Sequence, residues 1–75
     1  MTPNIVVDTR GMFCPVPVMK TAEAVKNVES GAVIEVLSDD PAAEFDMPAW
    51  CESTGHELRS TSKDGAVYSF IIVTR

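Results

Sequence analysis

Asn4 to Asp8 form a short β-branched run that stops at Thr9-Arg10-Gly11, the pattern of a strand entering a loop. The period then changes from two to about 3.6. Val18, Ala22, Val25 and Val28 fall on one stripe, Lys20, Glu23 and Asn27 lie opposite, and Ser30-Gly31 stands where a helix C-cap would. The spacing predicts a helix ending at Glu29. Proline is accepted in the first helical turn, where its missing N–H would be unpaired anyway. Pro15 is therefore expected at the first helical position and Cys14 at the N-cap.

Ala32 to Ser38 is an apolar run interrupted by Glu35, as a well-buried second strand would be, and Asp39-Asp40-Pro41-Ala42 ends it. Because Pro48 resists a place deep in a helix, the next segment is expected to divide. An acidic turn over residues 41–45 would precede a helix from Met47 to about Thr54 with Asp46 as N-cap. That cap would put Phe45 at N′ and Trp50 at N4, the spacing of a hydrophobic staple. Gly55 would end the helix. His56 to Ser62 and Ala66 to Thr74 read as two more strands, linked through the Asp-Gly turn signal of Lys63-Asp64-Gly65.

The order β-α-β-α-β-β predicts an α/β (α+β) two-layer sandwich, a four-stranded mixed sheet with both helices on one face. In the last strand both faces are apolar, Tyr68, Phe70 and Ile72 on one and Val67, Ile71 and Val73 on the other. The uncovered face would thus be less polar than a solvated one, which makes it a candidate contact surface.

With 75 residues the chain is expected to be one domain spanning 1–75, and 45% apolar with 23% charged content fits a folded core. No apolar run reaches the ~20 residues of a membrane span, and residues 1–8 lack the regions of a signal peptide, so a soluble cytoplasmic protein without membrane contact is expected. The formal charge is -5, and no basic residue falls between Lys26 and Arg59. Glu35, Asp39, Asp40, Glu44, Asp46, Glu52 and Glu57 occupy that stretch and should form a negative patch centred on the second helix. Such a surface excludes tight nucleic-acid binding, which needs cations against phosphates, and favours encounter with a basic protein.

Two cysteines are too few for a disulfide scaffold, so Cys14 and Cys51 are expected as free thiols. Cys14 is the strongest candidate for chemistry. At a helix start, the macrodipole and free N–H groups would lower its pKa and raise the thiolate fraction, with Arg10 and Lys20 as the nearest cations in sequence. Against this stands the common fate of a free cysteine, a small buried apolar side chain. Pro15 and Pro17 stiffen the approach and hold Cys14 in a loop, which packing alone would not require. Val16, about 160° round the helix from Val18, would be an exposed valine beside the thiol. Cys51 is assigned to packing, at the edge of a stripe of Ala43, Met47, Trp50 and Thr54, and His56 to a structural or exposed place. The paired spacing of zinc ligands is absent, no cofactor is expected, and Asp39 and Asp40 read as turn formers.

The run from Asp8 to Val18, with its Cys14-Pro15-Val16-Pro17 core, resembles the hallmark of the TusA (SirA-like) sulfur-carrier family. Ser38 to Ala42, Asp46 to Cys51 and Gly55 to Leu58 resemble the family's later landmarks. The resemblance implies a cysteine, matching Cys14, that accepts sulfane sulfur as a persulfide and relays it. It implies a cysteine desulfurase or rhodanese-type donor and a downstream sulfur-acceptor protein, serving tRNA thiolation, cofactor assembly or sulfur metabolism. Turnover would then rest with those partners. The alternative is a non-catalytic regulatory or interaction module that uses the open sheet face and the acidic second helix.

Overall fold

The computed structural model describes residues 3–75. Its elements follow the expected order: β1 (Ile5–Asp8), α1 (Val16–Val25), β2 (Val33–Ser38), α2 (Ala43–Thr54), β3 (Glu57–Asp64) and β4 (Val67–Val73). The strands form one mixed sheet in the order β1-β2-β4-β3. β1 pairs parallel with β2, and β4 runs antiparallel to both β2 and β3.

Alternation along the strands selects the covered face. Ile34 and Val36 of β2 and Tyr68, Phe70 and Ile72 of β4 are buried against Ala43, Met47 and Cys51 of α2. Val18, Val25 and Val28 of the first helical segment pack against the same cluster. Both helices thus cover one face, as the two-layer pattern requires. On the other face Val33, Leu37, Val67, Ile71 and Val73 stay half-buried, and Ser69 donates to Glu35 at 2.7 Å. The apolar open face therefore exists as expected. Among the described residues no helix is long and apolar enough to cross a membrane.

Several boundaries differ from the sequence expectation. α1 ends at Val25 rather than Glu29, because the amides of Lys26, Asn27 and Val28 turn to carbonyls three residues back, tightening the last turn. α2 starts at Ala43, and Asp46 lies inside it instead of capping it. Ala42 is the N-cap, and the turn leading into it is held by Asp40, whose Oδ1 accepts the Ala42 N–H at 3.1 Å and whose carbonyl accepts the Ala43 N–H at 3.0 Å. Pro48 is accommodated within this helix. The bond its missing N–H forfeits would go to the Glu44 carbonyl, and both residues sit on the solvent side where water can replace it. The staple is consequently lost: Phe45 points outward, and Trp50 stacks on His56 at 5.3 Å instead. The hairpin turn is Gly65-Ala66, with Asp64 opposite Val67, so Lys63 and Asp64 belong to β3.

Candidate functional site

Parallel pairing of β1 and β2 sets Asp8 opposite Leu37, so the loops leaving both strands meet at one edge of the sheet. The loop after β1 is pinned there residue by residue. The Thr9 hydroxyl donates to the Leu37 carbonyl at 2.6 Å, and the Thr9 amide donates to the same oxygen at 2.8 Å. Gly11, with φ at 82°, turns its N–H between the two Asp39 oxygens at 2.9 and 3.1 Å. This left-handed conformation strongly favours glycine. The Cys14 amide then donates to Asp40 Oδ2 at 2.6 Å. Buried Asp40 therefore joins the cysteine loop to the start of α2 through its two oxygens.

Asp39 and Asp40 do more than form the turn before Pro41. Sequence reasoning missed their hold on the loop because it rests on a bond across 26 to 28 positions, set by the parallel β1–β2 pairing. The available signal was two adjacent carboxylates at the end of a buried strand.

Cys14 is an exposed free thiol, which removes the buried-packing reading for it. Its place at the helix differs from expectation by one residue. Pro15 is the N-cap of α1, Val16 opens the helix and Pro17 is its second residue, so Cys14 precedes the cap. The Cys14–Pro15 peptide bond is cis. Val16 is half-buried rather than exposed.

The electrostatic expectation is also overturned. The Val16 N–H is spent on the Phe13 carbonyl at 2.8 Å, and Pro15 and Pro17 carry no N–H, so the first turn offers few donors to an anion. The nearest charges are negative. Hydrogen bonding to Asp46, desolvation and the charges of Asp46 and Asp40 push the Cys14 thiol above its ordinary value, not below it. Arg10 does not offset them. Its guanidinium is held by Asp8, Nε to Oδ1 at 2.9 Å and Nη2 to Oδ2 at 2.7 Å, which in turn lowers the Asp8 carboxyl to about 2. Lys20 faces a groove between α1 and β1 with Ile5, Val7 and Glu23.

The remaining sequence candidates are placed as follows. Cys51 is 3% exposed in the middle of the core-facing stripe of α2, and burial pushes its thiol up to about 11. Packing is its observed role. A raised thiol pKa makes the folded state hold its proton more tightly than the unfolded chain. Stability should therefore be full below the unfolded value of about 8.5 and fall as pH rises towards about 11. Denaturant midpoints across that alkaline range check this, and a Cys51→Ala variant should show a flatter fall. His56 stacks on Trp50, and its Nδ1 accepts the Arg75 amide at 3.1 Å, a structural place.

The acidic patch is smaller than its sequence suggests. Glu35 lies on the open sheet face, Asp40 is buried, and Glu57 is paired with Arg59 and Arg75. Asp39, Glu44, Asp46 and Glu52 remain at the cysteine loop and on α2. Exposed apolar side chains share this neighbourhood. Phe13 precedes the cysteine and is 74% exposed, Phe45 precedes Asp46 and is 74% exposed, and Met19, one turn into α1, is 60% exposed.

Comparison with known proteins agrees with this architecture. Residues 5–74 match the family described as Sulfurtransferase TusA. A protein of Archaeoglobus fulgidus is 40% identical over 68 residues, covering 91% of this chain and 93% of that one. The sulfur carrier protein TusA of Pseudomonas putida is 35% identical over 71 residues, covering 95% and 89%. The crystal structure of a SirA-like protein from Desulfitobacterium hafniense superposes with a TM-score of 0.81 at 30% identity, over 92% of this chain and 95% of that one. A match over nearly the whole chain, in sequence and in fold, means that this protein belongs to the TusA family.

Proposed function

We propose that the protein is a sulfur carrier that takes sulfane sulfur onto Cys14 and relays it to an acceptor protein. The observation that carries this reading is an exposed, free Cys14 in a loop fixed by Gly11–Asp39 and Cys14–Asp40 hydrogen bonds, in a chain whose relatives include proteins named sulfur carriers.

In the loading step the Cys14 thiolate attacks the terminal sulfur of a donor persulfide. A new S–S bond forms at Cys14 Sγ, the donor's S–S bond breaks, and the donor cysteine leaves as thiolate with the electron pair. Oxidation level is conserved, so no separate oxidant is needed. Unloading is the same exchange, with an acceptor thiolate as the attacking group. Arg10, Pro15 and Pro17 support the site by shaping the loop: Arg10 through its pair with Asp8, the prolines by fixing the entry into α1. A cysteine desulfurase or a rhodanese-type protein is the fitting donor, since each presents a persulfide. The half-buried apolar open face favours a second reading, an interaction module that does not carry sulfur.

The test is loading by a cysteine desulfurase supplied with radiolabelled cysteine sulfur. Label is expected on this chain, and none would appear on an interaction module. The remaining acidic surface should steer the encounter. Loading should then slow about tenfold as ionic strength rises to physiological values, and Glu44→Lys with Glu52→Lys should slow it further. Reactivity of Cys14 towards a small neutral alkylating agent should not change in that double variant. A loading rate indifferent to salt and to both reversals would remove the steering.

A further inference from the structure

The two edges of the sheet are defended differently. An edge strand offers unpaired N–H and C=O groups to any other chain, and proteins blunt such edges with charges, bulges or cover. β3, the edge beyond β4, carries Glu57, Arg59, Lys63 and Asp64, and a bulge shifts its register between Leu58 and Ser60. β1, the opposite edge, presents Ile5-Val6-Val7 with no charge before Asp8 and no shift in its pairing with β2. Ile5 and Val7 pack towards the core, so alternation turns Val6 to the open face, where it is 53% exposed. Beside this edge, Ile5 and Val7 also line a groove of about 350 Å³ against the flank of α1. An uncharged edge with an apolar groove next to it is what an added strand fills.

The charges on that flank select the chain that supplies the strand. Lys20 and Glu23 line the groove one turn apart, both exposed, and neither makes an ion pair with any described residue. A ligand matching them carries an acid and a base one helical turn apart in the reverse order. An antiparallel copy of the same helix supplies that arrangement, because in a two-fold pair every contact between two different residues occurs twice.

We propose that β1 and the flank of α1 form a self-association surface, on which a second copy of this chain lays its own β1 antiparallel and closes two Lys20–Glu23 ion pairs. The strands meet at Val6. Each exposed Val6 then covers the other, Ile5 of one copy lies beside Val7 of the second over the groove, and the two sheets join into one of eight strands. The cysteine loop leaves the C-terminal end of β1, so antiparallel pairing sends the two loops to opposite ends of the dimer and leaves both thiols open. The surface is therefore separate from the site of sulfur chemistry and stands whether or not Cys14 carries sulfur. Its size sets its strength. Four residues of strand span about 13 Å and ten of helix about 15 Å, in a molecule 18 Å through its thinnest dimension, so each copy contributes a few hundred Å² at most. A standard stable interface uses about 800 Å² per partner, which makes this pairing weak, with a dissociation constant on the order of 0.1–1 mM.

The experiment is sedimentation equilibrium of the protein from about 10 μM to about 2 mM. A reducing thiol prevents disulfides through Cys14, and about 0.15 M salt screens the net charge of -5 on each copy. The average mass should rise from 8.1 kDa towards twice that value across the range. Lys20→Glu and Glu23→Lys should each weaken association about tenfold, because each sets like charges together at both contacts. An equal mixture of the two variants should recover it, since each then offers the charge that the other lacks. On dilution of the parent, amide chemical shifts should change along β1 and along the flank of α1 that holds Lys20 and Glu23. A mass that stays at 8.1 kDa at the highest concentration, association that both variants keep, a mixture no stronger than its components, or shifts centred on Ile71 and the open face of β4 would each overturn the proposal. The parent's concentration series and shift map decide the matter even if a variant folds poorly.

Discussion

Cys14→Ser is expected to abolish sulfur acceptance while leaving the protein folded. The loss should be complete, because a serine hydroxyl cannot form the S–S bond in which the sulfur travels and Cys51 is sealed in the core. Folding should survive because the Cys14 side chain is exposed and the bond that fixes the loop, the backbone amide to Asp40, is kept by serine. Radiolabel transfer from a desulfurase, read beside the circular dichroism of the variant, separates the two effects. An unfolded Cys14→Ser protein would return the cysteine to a structural role, and undiminished labelling would move the chemistry elsewhere.

Phe70→Ala is the expected largest loss of stability. Phe70 is fully buried at the centre of β4, opposite Val36 of β2 and Thr61 of β3, and it stacks on Tyr68 at 6.0 Å between ring centres. Truncating a buried phenylalanine costs about 3–5 kcal/mol in lost transfer energy and residual cavity. A domain of this length has on the order of 4–11 kcal/mol in all, at about 0.05–0.15 kcal/mol per residue. The variant should therefore lose about a quarter or more of its stability, read as a lower urea midpoint with an unchanged slope. Ile71→Ala, one position along on the open face, should cost much less. Equal losses would mean that the open face is covered, as an interaction surface would be.

The alternation of β4 and the β-branched runs of β1 and β2 made the strands legible, because period two survives burial on one face. Gly55 was likewise readable as the end of α2, being the residue in the left-handed region at the C-cap. The start of α2 was not. Pro48 suggested a break, whereas the helix begins before it because Asp40 holds the turn that leads into it and the proline's lost bond lies on the wet side.

The site was half legible. Cys14 could be singled out from its prolines, and it emerged exposed, as a presented thiol should. Its electrostatics could not be read from local sequence. Counting neighbours along the chain pointed to Arg10 and Lys20, while the fold turns both away and brings up Asp40 and Asp46 from 26 and 32 positions downstream. One residue of shift at the helix start also removed the N–H donors that a cysteine at the cap would have used.

The most direct test of the sulfur chemistry is the intact mass of the protein after incubation with a persulfide donor, followed by peptide mapping. A gain of about 32 Da, one sulfur atom, located on the peptide that contains Cys14, removed by a reducing thiol and unchanged in Cys51→Ala, is the predicted result. An unmodified Cys14 under conditions that load a known persulfide acceptor, or a sulfur found on Cys51 instead, would contradict it.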